Sequence, residues 1–396
     1  MAAARPAVAG RAMVSTSQPL AAQAGLAVLQ RGGNAVDAAL AAAITLTVVE
    51  PVSNGVGGDL FALVGGPGAD APVLALNASG RAPKAWTAQR FAGRTTMPMT
   101  GWDAVTVPGA PAGWRRLSER AGRLPFAALF DEAVRLADEG FAVTSVVAAK
   151  WAREGQRLGA VPGFSAHFLP GGRAPAVGDV FRTPHLGDTL REIAATGSES
   201  FYRGPLAQAL ARAAQAAGAA LTTDDLAAAW AEDGWVQPLH GDYRGHRIHQ
   251  LPPNGQGVTT LIALGILQHF DSALLGSGSA TAQHLAIEAL KLAFVDTYRG
   301  LADPQAMTER VDDWLQPERL AALARRIDPA RASDFGAAVP PWGGTVYVAA
   351  ADADGLMVSL IQSNFVGFGS GVVVPGTGIS LHNRGAGFAL QPGHPN

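Results

Sequence analysis

The stretch from Trp342 to Gly371, WGGTVYVAAADADGLMVSLIQSNFVGFGSG, constrains the fold more than any other part of the chain. Two glycines precede Thr345, which opens an alternating run, Thr345-Val346-Tyr347-Val348, that continues into the apolar Ala349 to Ala351. Asp352-Ala-Asp354-Gly355 is a tight-turn signal, because Asp and Gly accept the backbone angles that such turns need. A second strand follows over Met357 to Gln362, and then a glycine-rich loop. The pattern predicts a β-hairpin with Thr345 at the head of its first strand, directly after two residues without side chains.

That placement suggests a chemistry. A threonine hydroxyl is a weak nucleophile until a base takes its proton, and the α-amine of the same residue can be that base. A free α-amine titrates at about 7.7–8.0, close to working pH, where a general base is most useful. Cutting the Gly344–Thr345 bond would release it. Glycine at 344 is expected to supply the backbone freedom that lets the Thr345 hydroxyl approach the Gly344 carbonyl. On these residues alone a second reading stays open: Gly-Gly-Thr is also a common way for a loop to enter a strand.

The stretch resembles the processing site and nucleophile strand of the γ-glutamyltransferase family, which are N-terminal-nucleophile hydrolases. The family pattern is Thr-Thr-His-x-Ser-Val-Val-Asp-x-Asp-Gly, followed by a Phe-Gly-Ser/Thr-Gly loop. Thr345 matches the first threonine, Asp352 to Gly355 the closing turn, and Phe368-Gly369-Ser370-Gly371 the loop, with spacing preserved. Val346 and Tyr347 replace the second threonine and the histidine.

At 396 residues the chain makes one large domain or two ordinary ones. Charged residues are sparse at 16%, and the formal net charge is −2, so neither a basic stripe for nucleic acid nor an acidic tail is present. Lys84, Lys150 and Lys291 are the only lysines, and there are no cysteines, which excludes disulfides, thiolate metal sites and a cysteine nucleophile. The start of the sequence has no long apolar core of the secretory kind. The most apolar run, Val36 to Val49, contains Asp37 and is shorter than the roughly 20 residues that span a bilayer. A soluble cytoplasmic protein with no membrane partner is expected, although the family includes secreted members.

Residues 13 to 64 carry the second resemblance. Pro19 to Arg31 reads as a helix stopped by Gly32-Gly33, and a second helix capped by Asn34 runs to Val49 and ends at Glu50-Pro51. Gly55, Gly57 and Gly58 lead into a strand, Leu60 to Val64; close packing is preferred to phosphate binding because no Gly-Lys-Ser/Thr follows. A strand over Pro72 to Asn77 precedes the loop Ser79-Gly-Arg81-Ala-Pro83. Helices are expected over Phe126 to Glu139, Pro205 to Ala217 and Thr223 to Ala231, and from Thr281 to Ala302 in a third family-like segment. Tyr243 to Leu251 alternates as one strand, in which His246 and His249 face opposite sides, so a metal site there is disfavoured. Glu288 and Asp296 lie roughly on one helix face and read as structural.

The resemblance implies a four-layer α-β-β-α sandwich of the α/β (α+β) class. It also implies a precursor that cuts itself before Thr345, giving a large-subunit region 1–344 and a small-subunit region 345–396. Thr345 would be the catalytic nucleophile and would need no cofactor, acting on a small-molecule amide such as glutathione or another γ-glutamyl amide. Family contacts map onto Ser363, which would support the nucleophile's oxygen, and onto the Ser363-Asn364-Phe365 and His382-Asn383-Arg384 segments, making Asn364, Asn383 and Arg384 candidate substrate-binding residues. The family's recognition arginine aligns with Ser79, with Arg81 displaced by two residues as its possible replacement. The family's amine-binding acidic or amide residues become Arg384, Ala386 and Gly387. Its oxyanion glycines and contact serines lie beyond the point matching Asn396, so a fragment or incomplete gene product is expected. Two alternatives remain: an amidase for acyl groups without an α-amine, like the related cephalosporin acylases, and an inactive fragment.

Overall fold

The computed structural model describes residues 10–68, 71–276, 278–336 and 343–396. Trp342 and the first nine residues lie outside them. Two compact units are present. One comprises Met1–Pro72, Leu76–Trp235 and Trp342–Gly387; the other comprises Val73–Ala75, Val236–Pro341 and Phe388–Asn396. The Gly344–Thr345 bond is not a boundary between them. It lies inside a strand.

In the first unit, four neighbouring strands of the main sheet position the site: β1 Met13–Thr16, β2 Asp59–Gly65, β3 Gly344–Ala351 and β4 Met357–Phe365. Their order is β1-β3-β4-β2, each pair antiparallel. β3 and β4 are the two arms of the expected hairpin. Its turn is built on Asp352, whose Oδ1 accepts from the Asp354 and Leu356 amides, both at 3.0 Å. The other oxygen, Oδ2, accepts from the Ala35 amide at 2.9 Å, so the same side chain also caps a helix.

That helix, α2, spans Ala35–Val49, and all fifteen of its residues are buried. Asn34 caps it as expected, in a reciprocal box with Asp37. The Asp37 carboxylate also accepts from the Arg123 and Leu124 amides, which satisfies a charge that burial would otherwise make costly. α2 packs on α1, Pro19–Gln30, and on β3 and β4, so the apolar side chains Val346, Val348, Ala350, Val358 and Leu360 lie inside. Alternation puts Thr345, Tyr347, Met357 and Ile361 on the opposite, exposed face.

Helix α3, Ala110–Ala121, follows, and five aromatic side chains (Trp151, Phe164, Phe168, Phe181 and Phe368) form a cluster behind the glycine-rich loop. The expected helix over Phe126 to Glu139 is instead a short 3₁₀ turn, Phe126–Leu129, and a helix, Asp131–Glu139. Across the break Phe126 and Phe130 meet edge to face at 4.9 Å, with Phe130 buried against Trp114.

The second unit packs Gly257–Leu267, Ala280–Gly300 and Pro317–Ala324 around a core of Ile262, Ile266, Leu285, Leu292 and Trp314. Here the single strand expected over Tyr243 to Leu251 is corrected. Tyr243 ends one strand, Leu239–Tyr243, and His246 opens the next, with Arg244 at φ 50° and Gly245 at φ 82° forming the two-residue turn. Glu288 pairs with Lys291 and Asp296 with Arg319, in keeping with structural roles. Among the described residues no helix is long and apolar enough to cross a membrane.

Candidate active site

Thr345, Ser363 and Asp59 stand at one register level on three adjacent strands, β3, β4 and β2. Directly opposed residues share a face of the sheet, so the three side chains form a row on the open face. Thr345 is exposed, while Ser363 and Asp59 are buried.

The hydroxyls of Thr345 and Ser363 are 2.9 Å apart. Ser363 Oγ donates to the Gly344 carbonyl oxygen at 2.8 Å and accepts from the Phe365 amide at 2.8 Å. A serine hydroxyl has one proton and two lone pairs. With its proton given to Gly344, it can only accept from Thr345. The hydrogen bonds therefore run in one direction, from the Thr345 hydroxyl to Ser363 and from Ser363 to the carbonyl before Thr345. That carbonyl is the group an attacking Thr345 Oγ would convert to an oxyanion.

Gly344 serves this arrangement through space rather than through backbone freedom. It is not among the residues with positive φ, but a Cβ there would lie 2.4 Å from the Gly367 nitrogen. The expected reason for this glycine is thus corrected to close backbone approach. Gly58 is similar, since a Cβ would meet the Ser363 carbonyl oxygen at 2.4 Å, and close packing accounts for the glycine-rich turn. The register shifts between Ser363 and Phe365, and Phe365 sits at φ 74°. Such a conformation is costly for an aromatic residue, and it turns the Phe365 ring beneath Arg384, whose guanidinium carbon lies 4.7 Å from the ring centroid.

Arg384 Nε donates to Asp59 Oδ2 at 2.6 Å, and the arginine side chain is 30% exposed. His382 backs the pair. Its Nδ1 lies 3.6 Å from Asp59 Oδ2, and its Nε2 lies 3.0 Å from the Thr106 carbonyl oxygen and 2.9 Å from the Thr106 hydroxyl. Burial pushes the Asp59 carboxyl up, but the Arg384 charge and the polar contacts of His382 and Arg384 outweigh it and hold it below the usual carboxylate range. Asp59 is therefore ionised at neutral pH. On the far face of β4, Gln362 is locked by Trp114 Nε1, Asn54 and the Ala43 carbonyl, which stiffens the strand under Ser363.

The remaining candidates fall elsewhere. Asn364 is fully buried on the helix side, with its amide toward the Pro51 carbonyl at 3.4 Å. Asn383 is buried too; it accepts from the Val366 amide and donates to the Met99 carbonyl. Both shape the loops around the site rather than face it. Arg81 ion-pairs with Glu232, and both side chains are largely exposed. Sequence reasoning passed over Asp59. The available signal was a carboxylate at the head of an otherwise apolar strand, which needs a cationic partner if it is buried. Asp59 is spent on Arg384, and among the described residues no three His, Asp or Glu gather as a metal site.

The sequence profile described as Gamma-glutamyltranspeptidase matches residues 21–396. The chain is 40% identical over 395 residues to an oxamate amidohydrolase proenzyme of Klebsiella pneumoniae, covering 98% of this chain and 73% of that protein. It is 37% identical to the glutathione hydrolase-like YwrD proenzyme of Bacillus subtilis, covering 97% and 72%. Among solved structures, cephalosporin acylase from Bacillus halodurans superposes with a TM-score of 0.89 at 43% identity, covering 99% of this chain and 73% of that one. Helicobacter pylori γ-glutamyltranspeptidase superposes with a TM-score of 0.74 at 28% identity, over 83% and 95%. These neighbours share the α+β fold of N-terminal-nucleophile hydrolases that the sequence led us to expect. The chain belongs to the γ-glutamyltranspeptidase family.

Proposed function

We propose that Thr345 first cuts its own chain and then serves as the nucleophile of an amide hydrolase or acyl transferase. The direction of the Thr345–Ser363–Gly344 hydrogen bonds is the observation that carries this reading. In the first step Thr345 Oγ bonds to the Gly344 carbonyl carbon. Its proton passes to Ser363, and the Ser363 proton passes to the Gly344 oxygen. As the C–N bond breaks, that proton leaves the Gly344 oxygen for the departing nitrogen, so the carbonyl re-forms as an ester on Oγ and Thr345 gains a free α-amine. Water then hydrolyses the ester and leaves Gly344 as a carboxylate. This divides the chain into regions 1–344 and 345–396.

In turnover the freed α-amine takes the Thr345 proton as Oγ attacks a small amide, then gives it to the departing amine. Water or an acceptor amine resolves the acyl ester and restores the hydroxyl. Mass spectrometry of the processed full-length enzyme, quenched during turnover, is expected to find the acyl group on the peptide that begins at Thr345. An adduct on any other residue would overturn the assignment.

Two acyl classes fit the family: γ-glutamyl groups, as in glutathione, and acyl groups without an α-amine. The cation of Arg384 beside the row favours the second, because an ammonium ion approaching it is repelled. The cytoplasm is the compartment we propose; recovery of an N-terminally trimmed form outside the cell would overturn that.

A further inference from the structure

Asp59 takes no part in the chemistry just described, yet it is 0% exposed and stands in the same row as Thr345 and Ser363. Adjacent strands lie about 4.8 Å apart, so its Cα is about 10 Å from that of Thr345. Its hold on Arg384 is through a single atom pair, Oδ2 to Nε. Oδ1 has no hydrogen-bond partner among the described residues. The guanidinium is fixed from below by the Phe365 ring at 4.7 Å. The segment that carries it is tied down as well, by the His382 amide to Gly57 and by Asn383 to Met99. Among the described residues neither Nη nitrogen of Arg384 has a hydrogen-bond partner, and the side chain is partly open.

An arginine held by Nε and by its π face keeps its two Nη donors as a fork suited to a carboxylate. Because it is already ordered, binding to it costs less side-chain freedom.

We propose that Asp59 is a positioning residue for acyl recognition: it sets the Arg384 fork at one fixed distance from Thr345, so that acyl chains ending in a carboxylate are selected by length. This rests on the reading of Thr345 as nucleophile. It differs from a simple charge preference, because a fork at a fixed distance gives an optimum in chain length, whereas a diffuse positive field gives only a trend.

The test uses the processed full-length enzyme and four p-nitroanilides: succinyl, glutaryl, adipyl and the uncharged butyryl. For the wild type one carboxylate-bearing length is expected to lead in kcat/KM. Asp59→Asn keeps the side-chain volume and removes the charge that holds Nε, leaving at most a neutral acceptor. It is expected to lower kcat/KM for the preferred chain about 10- to 100-fold, mostly through KM, and to flatten the length series. Asp59→Glu, one methylene longer, is expected to restore a preference with its optimum moved along the series. A purely structural role would lower all four rates together and leave the profile unchanged, and that result would overturn the proposal. Should Asp59→Asn not fold, Asp59→Glu and the uncharged pair Asp59→Asn/Arg384→Gln carry the same comparison. The two readings fail differently. If Thr345 is not the nucleophile, the wild type shows no adduct on it. If only the positioning role is wrong, the adduct is present and the length profile is the same in every variant.

Discussion

Thr345→Ala is expected to leave the full-length protein as one uncut chain on a denaturing gel, where the wild type gives two. The alanine keeps the strand and its register but removes the hydroxyl that attacks Gly344 in the proposed mechanism. Thr345→Ser retains that atom and loses a methyl group that restricts its rotamer, so it should still cut, but more slowly. Ser363→Ala separates the relay from the nucleophile. It leaves the Thr345 hydroxyl in place but takes away the donor to the Gly344 oxygen and the acceptor for the Thr345 proton. Loss of one donor to a developing oxyanion slows a reaction by about 10²- to 10³-fold, so cutting should fall from complete to barely detectable over the same interval. Two bands from Thr345→Ala would remove Thr345 from the mechanism. Normal cutting in Ser363→Ala would remove only the relay.

The hairpin was readable because each of its signals is local. Alternation, a turn with Asp and Gly, and two glycines before a threonine all lie within thirty residues of Trp342. The α2 helix was readable for the same reason, since Asn34 and Glu50-Pro51 mark its ends. Asp352 shows where local signals stop. Its role in the turn is written in Asp-x-Asp-Gly, but its bond to the Ala35 amide joins residues far apart in sequence, and no spacing rule foretells it.

The site follows the same division. Thr345 and Ser363 pair across one hairpin, so a strand register suffices to bring them together. Strand alternation turns Asn364 to the helix side, where it is fully buried, and a resemblance between motifs does not carry that orientation. Asp59 and Arg384 are separated by most of the chain, and each looks ordinary alone: one an acid after glycines, the other a basic residue before glycine. Only the pairing of β2 with β4, and the return of the chain past Ser380, makes them partners. Arg244-Gly245 was misread on simpler grounds. An arginine at positive φ is uncommon, so the turn lacked the usual Asn-Gly or Asp-Gly signature.

Glutaryl p-nitroanilide is expected to be hydrolysed faster than γ-glutamyl p-nitroanilide, against the name of the family. The two compounds differ by one α-ammonium group. Family members that take γ-glutamyl groups are expected to bind it with acidic or amide side chains, and the resemblance of this sequence to the family puts Arg384, Ala386 and Gly387 at those positions. Asp59 could in principle serve an ammonium ion, but it is fully buried and committed to Arg384. A γ-glutamyl substrate would thus bring its ammonium toward a cation and leave it without a charged acceptor. Losing one charge-assisted hydrogen bond costs about 1.5–3 kcal/mol, which corresponds to a preference of about 10- to 100-fold in kcat/KM. Arg384→Gln should reduce glutaryl turnover by a similar factor and narrow the gap between the two substrates. That change leaves the Asp59 carboxylate buried without its partner, and breaking such a pair costs about 3–5 kcal/mol of stability. The comparison therefore includes Asp59→Asn/Arg384→Gln, in which no charge is stranded, with the self-cleavage bands as the check that each variant has folded. If γ-glutamyl p-nitroanilide is the better substrate and removing Arg384 changes neither rate, the guanidinium does not face the acyl group and the enzyme recognises its substrate from elsewhere.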